Sequence, residues 1–511
     1  MVPVGAIILQ PSDERRRSGS HYTPRALTQP IVKKALEPVL AQLGVGSGDL
    51  GVGEEKGVGN GELGVGKKAS PSASPIPHSR LPTPSVSPTP HSLLPTPSVS
   101  PTPEQILSLK VCDPAMGSGA FLVEACRQLG EHLVNAWAAH WAAPAIPPDE
   151  NEQLHAMRLV AQRCLYGVDK NPMAVALAKL SLWLATLAKD HAFTFLDHAL
   201  REGDSLVGLS RQQIERFHWD ADGPANMVSD FITKAVNEAS ALRQQIIQSA
   251  EGADYTALGK QLRDADAVLA RCRFIGDIVV ALYFGSTKPK ERENERVKRF
   301  AQLQNWLYNK GDAEELEKLV AGLTEGEHPV RPFHWEIEFP EVFAVRVGNR
   351  ELGIGGEKGV GNRELGIGKK ARSSSPTPHS PLPTPSNALL PTPSFGFDVI
   401  VGNPPFAGKN TIAAGNHPHY PDWLKALHEE SHGNADLVAH FFRRAFQLLR
   451  VGGTFGLIAT NTIAQGDAQH RAALDLHSRR HDLPRQAAVQ VAGARCCGCK
   501  CCPCLERGNR E

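Results

Sequence analysis

Four short apolar runs constrain what this chain can fold into, because each ends at a polar residue and each lies beside a helical pattern. Lys110-Val111-Cys112 runs to Asp113, then through Gly117-Ser118-Gly119 into a helix with Phe121, Leu122, Ala125, Leu129 and Leu133 on one face. Leu165-Tyr166-Gly167-Val168 ends at Asp169 and precedes an apolar helix over 174–187. Phe397–Val401 leads through Gly402 into Asn403-Pro404-Pro405-Phe406. A helix over 436–450, stopped by Gly452-Gly453, precedes a strand over 454–459 that ends at Thr460-Asn461. Alternation of this kind predicts an α/β fold, a doubly wound and mostly parallel sheet with helices on both faces. The polar strand ends then fall at the carboxyl edge, where such sheets bind ligands.

Two stretches of the 511 residues stand apart by composition. Residues 44–103 and 347–394 are Gly/Val-rich and then Pro/Ser/Thr-rich, and residues 53–69 and 355–371 are near-copies of one another. Neither carries an apolar face, so both read as disordered insertions without a chemical role. Each precedes an apolar strand, 107–112 or 397–401, which places it at the sheet edge opposite the ligands. A long loop there costs little, since closure entropy grows only logarithmically with length. Residues 226–346 are charged and helix-periodic and read as a helical insertion to which no chemistry is assigned. Lys+Arg 55 against Asp+Glu 54 argues neither for nor against a polyanionic partner. No apolar run reaches membrane-spanning length, so no membrane association is expected. Four scattered cysteines, Cys112, Cys126, Cys164 and Cys272, fit reduced thiols in a cytoplasm.

Asn403-Pro404-Pro405-Phe406 suits activation of a planar exocyclic amine. The lone pair of such an amine is delocalised into its ring. Two acceptors on its N–H groups, the Asn403 side-chain oxygen and the Pro404 carbonyl, pull the nitrogen towards sp³ geometry and free that pair. Two prolines stiffen the turn, and Phe406 offers a face on which an extruded base can stack. The loop from Asp113 through Pro114, Ala115, Met116, Gly117, Ser118 and Gly119 to Phe121 admits a ligand to backbone and helix N-terminus. It lacks the third glycine of a dinucleotide fingerprint, where Leu122 stands, and it lacks Gly-Lys-Ser/Thr. What remains is a site for a ligand with an amino-acid moiety.

This stretch resembles the cofactor loop of S-adenosylmethionine-dependent DNA methyltransferases. Further motifs follow in the order of the gamma class of N6-adenine methyltransferases, close to type IIG restriction–modification enzymes. The resemblance covers 15–43, 104–346 and 395–467, and it implies a Rossmann-like class I methyltransferase domain. By this resemblance Tyr22, Thr23 and Pro24 close over the cofactor's methionine part, and Asp169 takes the ribose hydroxyls with Pro172 near the adenine ring. Asp204, in Gly203-Asp204-Ser205-Leu206, meets the adenine amine. Residues 15–43 are then the cofactor-closing helix, 104–225 the cofactor-binding half and 395–467 the catalytic half. The implied cofactor is S-adenosylmethionine and the implied substrate an adenine in DNA, with a restriction or specificity protein as a possible partner. Methyl transfer to RNA or to a protein glutamine, which also uses Asn-Pro-Pro motifs, is the alternative. A non-catalytic cofactor-binding remnant is another.

Past Asp467 the apolar periodicity fades, and six cysteines crowd into 496–504. Structural zinc sites space their ligand pairs widely, so no metal is expected there. Residues 468–511 read as an aberrant tail of the kind a reading-frame slip produces. The expectation is a catalytic domain incomplete at its C-terminus and weakly active or inactive as it stands.

Overall fold

The computed structural model describes residues 23–44, 100–144, 146, 151–187, 193–220, 228–250, 252–309, 311–343, 395–428 and 435–459. Tyr22, nearly all of both repeat-bearing insertions, Thr460-Asn461 and the cysteine-rich tail lie outside them.

The chain enters through α1 (Arg25–Gly44) and α2 (Pro103–Ser108), then runs β1 (Val111–Asp113), α3 (Ala120–His140), α4 (Glu152–Arg163), β2 (Leu165–Asp169), α5 (Pro172–Thr186) and β3 (Leu200–Glu202). A short α6 (Arg211–Glu215) leads to four helices, α7 (Ser229–Ile247), α8 (Tyr255–Phe284), α9 (Pro289–Asn309) and α10 (Glu314–Thr324). After α11 (Trp335–Glu338) and α12 (Pro340–Phe343) come β4 (Phe397–Gly402), α13 (Lys409–Gly415), α14 (Tyr420–Leu427), α15 (Leu437–Leu448) and β5 (Leu449–Leu457). The five strands form one sheet in the order β3-β2-β1-β4-β5, and every pairing is parallel. The α/β architecture expected from the alternating runs is present. Its strand order reverses between β1 and β4, the switch point at which such sheets open a crevice.

Both faces of the sheet are covered, which is why the strands read as unbroken apolar runs. Val111, Leu165, Val399 and Val401 face a cluster built on α1, α3, α4 and α5. Cys112, Tyr166, Val168 and Ile400 face the other way, onto Phe333, Trp335, Phe339 and α15. The four described cysteines are free and buried. Helix α1 runs against the strand direction. Thr454 Oγ1 donates to the Ala35 carbonyl in its middle, and Gln42 near its far end donates to the Gly452 carbonyl at 3.3 Å. Its N-terminal neighbour Thr23 is therefore held at the carboxyl edge, beside Asn403.

Two local expectations are corrected. Residues 107–112 are not one strand: Thr102 and Gln105 form a reciprocal capping box that starts α2, and the strand begins only at Val111. Thr102 and Pro103 thus belong to the folded domain rather than to the insertion. Helix α15 ends at Leu448, before the glycine pair. Gly452 (φ +77°) and Gly453 instead sit in a bulge of β5, where Phe397 pairs with Leu449 but Val399 pairs with Thr454.

Arg243, fully buried in the helical insertion, donates to both Glu341 oxygens of the same insertion at 2.6 and 2.9 Å, and to the His198 carbonyl just ahead of β3 at 2.6 Å, which ties the insertion to the sheet. Removing either partner would strand a buried charge, so the pair fixes α7 on α12. Excising 45–99 and 344–394, each bridged by a short Gly/Ser linker, is expected to move the melting temperature by less than about 4 °C, equivalent to about 1 kcal/mol. A much larger drop in calorimetry would mean that one of them completes a core.

Candidate active site

A cavity of about 650 Å³ opens at the carboxyl edge, at the switch point between β1 and β4. Twelve residues singled out from the sequence line it: Thr23, Asp113, Pro114, Ala115, Gly117, Phe121, Asp169, Pro172, Asp204, Asn403, Pro405 and Phe406. Three others are placed differently. Gly119 is the N-cap of α3, Pro404 is buried behind the lining, and Pro24 is exposed, its carbonyl accepting the Leu27 and Thr28 amides of α1.

The loop after β1 is held almost wholly through its backbone. Asp113 Oδ1 accepts the Ala115 amide at 3.0 Å, the Val168 carbonyl accepts the Met116 amide at 3.1 Å, and Asp169 Oδ2 accepts the Gly117 amide at 2.9 Å. Ser205 Oγ donates to the Pro114 carbonyl at 2.5 Å. Gly117 (φ +53°) and Gly119 (φ +81°) supply left-handed turns that cost other residues about 1–2 kcal/mol each. A side chain on Gly119 would also press on Ala178 of α5, 3.2 Å away. The loop thus ends in an α3 N-terminus with no side-chain cap, and Ala120 and Phe121 of its first turn line the cavity. Free amides there favour a carboxylate or another anion.

Asn403 follows β4. Its Nδ2 donates to Thr23 Oγ1 at 3.1 Å, while Oδ1 is buried and has no hydrogen-bond partner. The loop beyond is clamped by Asp436, whose Oδ1 accepts the amides of Ala407 at 3.2 Å and of Val438 at 3.0 Å. One carboxylate therefore caps α15 and fixes the end of the Pro-Pro-Phe turn. The Ala407 carbonyl in turn accepts the Leu437 amide at 2.9 Å.

Several residues at this site escaped the sequence reading. Asp204 Oδ1 accepts the Leu206 amide at 3.0 Å and the Tyr420 hydroxyl at 3.1 Å, and Oδ2 lies 3.4 Å from Lys170 Nζ. Lys170 also donates to Asn416 Oδ1 at 2.8 Å and sits 5.5 Å from the Tyr420 ring centroid. This network joins the ends of β2 and β3 to the segment after Asn403. The helical insertion is involved as well: Glu327, His328, Pro329 and Arg331 line the cavity, and Tyr283 of α8 donates to the Asp422 carbonyl of α14 at 3.0 Å.

Comparison with known proteins bears directly on this arrangement. The family model of the Eco57I restriction-modification methylase matches residues 163–477, more than half of the chain. The chain belongs to that family. A second model, the DNA-methyltransferase domain of MmeI, matches residues 98–211, which include the Asp113–Phe121 loop. None of the curated proteins matches the chain. The methylase is thus a DNA methyltransferase of the restriction–modification type, and the parallel sheet is its class I methyltransferase core. Among its described residues, no helix is long and apolar enough to cross a membrane.

The electrostatics of the methylase's cavity are set by carboxylates out of water. Burial pushes the Asp113 carboxyl up to about 8; the Ala115 amide opposes the rise and the Asp169 charge adds to it. Burial also raises Asp169, against the pull of the Asn171 and Gly117 amides. Burial and the neighbouring Asp204 hold the Tyr420 hydroxyl well above the usual phenol range, so it donates at any ordinary pH. With Asp113, Asp169 and Asp204 converging, the cavity suits a ligand that brings positive charge and hydrogen-bond donors.

Proposed function

We propose that the methylase moves a methyl group from S-adenosylmethionine to the N6 amine of an adenine flipped out of DNA, in the cytoplasm, alongside a restriction or specificity partner. The observation that carries this reading is the Asn403 Oδ1 atom, buried without a partner while Thr23 occupies the amide nitrogen on its other side. An orphaned buried acceptor costs roughly 1–3 kcal/mol unless a ligand supplies the missing donor. An exocyclic amine is such a donor. Asparagine before Pro-Pro-Phe, rather than serine, favours adenine by family likeness.

The chemistry of the cavity fits the cofactor. Asp169 would take the ribose hydroxyls, the free amides at the α3 N-terminus would take the amino-acid carboxylate, and Asp113 would face the cationic centre. Asp204 would use its remaining lone pairs for the adenine amine, with Tyr22 and Thr23 closing the methionine end and Pro172 beside the ring. When bound, S-adenosylmethionine supplies an electrophilic methyl group. Everything the chain contributes is alignment and activation. Asn403 Oδ1 would accept a hydrogen bond from one amine N–H, and the Pro404 carbonyl, behind the lining in this structure, would take the other once turned inward. Phe406 would stack on the base, the amine proton displaced by methylation would leave to water, and no side chain forms a covalent bond.

Two binding experiments test the cofactor half. Asp169→Ala is expected to weaken S-adenosylmethionine binding by about 1–3 kcal/mol, or roughly 5- to 150-fold. Unchanged calorimetric affinity would remove Asp169 from the site. The second test reads Asp113. Its folded pKa of about 8 lies above the ordinary value of 3.8, so the free protein holds it neutral at pH 7 and its contribution to stability is lost as pH rises through 8. A cation favours the ionised form, so binding below pH 8 should release a proton. Affinity should rise by up to about tenfold per pH unit between pH 6 and 8 and level off above. Asp113→Asn should flatten that profile; an equally steep profile in the variant would assign the proton elsewhere.

A further inference from the structure

Helix α5 buries Val175, Ala178 and Leu182 against the sheet, as a covering helix of an α/β fold should. Its opposite face does not become polar. Met173, Leu177, Leu180 and Leu184, with Leu187 at the C-cap, are each between 44% and 64% exposed. Their spacing is four, three, four and three residues, the heptad seam of a two-helix contact. Lys179 is the one charged residue in the helix, and it is turned away to donate to Asp197. Phe193, 58% exposed and 5.0 Å from Trp183, extends the apolar surface.

We propose that this stripe is the interface of a homodimer, formed by antiparallel packing of α5 on α5 of a second copy. Three features single out a second copy over another partner. The spacing is nearly the same read in either direction about Leu180, so the stripe is complementary to itself. A two-fold axis through Leu180 sets Met173 opposite Leu187 and Leu177 opposite Leu184, the reciprocal contacts of an isologous interface. Charged side chains, which would select a different partner by sign, are absent from the stripe. Finally, these half-exposed side chains present on the order of 500 Å² of apolar surface, at the upper end of what monomers leave open. Two such faces together reach the roughly 1,000 Å² expected of a biological interface.

The interface adjoins the chemistry. Met173 and Leu177 line the cavity as well as the stripe. In the dimer the C-terminal half of the partner's helix covers them, so each copy walls the rim of the other's cavity.

Sedimentation velocity of the full chain, under reductant so that cysteine bridges play no part, tests this. The wild type is expected to pass from one chain mass to twice that mass as concentration rises through the micromolar range. Leu180→Glu and Leu180→Lys each place like charges on the two-fold axis and should remain monomeric. An equimolar mixture of the two should regain the dimer, because opposite charges then meet. The substituted side chain is half exposed, so melting temperatures should stay close to that of the wild type. A wild type that is monomeric at every concentration overturns the proposal, whether the stripe is covered by another part of the chain or by nothing. So do variants that dimerise separately as well as the wild type does.

Discussion

Asn403→Ala is expected to lower methyl transfer to DNA by about two to three orders of magnitude, the loss seen when a preorganised polar group at a reacting centre is removed. S-adenosylmethionine affinity should stay within a factor of about two, since Asn403 is proposed to touch the amine and not the cofactor. The reason lies in the two ends of the side chain. Thr23, fixed by α1 at the carboxyl edge, takes the amide nitrogen at 3.1 Å and so aims the oxygen, which is buried and unpaired. Thr23→Val keeps the shape but lets the amide turn, and should fall between wild type and Asn403→Ala. If Asn403→Ala instead lost cofactor binding and melting temperature together, Asn403 would be a structural residue of the turn.

Gly402→Ala should produce the second large effect, at a position that touches no ligand. A β-carbon there would lie 2.6 Å from Asp113 Oδ1 and 3.2 Å from its Cγ. Neither can yield easily, because Gly402 belongs to a buried strand and Asp113 is 1% exposed and tied to the Ala115 amide. Overpacking of this kind costs roughly 1–3 kcal/mol. A fall of several degrees in melting temperature should accompany a loss of cofactor affinity, since the carboxylate that moves is the one proposed to face the cationic centre. Asp113→Asn should share the affinity loss without the steric strain. Calorimetric titration alongside thermal melts separates the two, and a Gly402→Ala protein with wild-type affinity would show that Asp113 is not part of the binding site.

The sheet and most of its carboxyl edge were legible in the sequence because short apolar strands buried on both faces must stop where the chain meets water. Asp113, Asp169 and Asn403 each stand at such a stop or just past it. Boundaries were harder where two local signals competed. The apolar residues 107–112 hid α2, although Thr102, at the end of a compositionally biased stretch, and Gln105, just past it, announced it. The Gly452-Gly453 pair signals a helix end by composition and serves a strand bulge in fact. Least legible were contacts between distant segments. Lys170, Asn416 and Tyr420 gather on Asp204 across some two hundred and fifty residues of sequence, and no local period encodes that meeting. Glu327 to Arg331 reach the cavity wall as irregular backbone within the helical insertion, between α10 and α11, where amphipathic patterning has nothing to report.

One measurement tests the central claim most directly. DNA is incubated with the methylase and S-adenosylmethionine carrying a deuterated methyl group, then digested to nucleosides and read by mass spectrometry. The prediction is label in N6-methyladenine, and about two to three orders of magnitude less of it with Asn403→Ala. Label confined to N4-methylcytosine, to RNA or to protein glutamine, or no label at all from a protein that binds the cofactor, would contradict it.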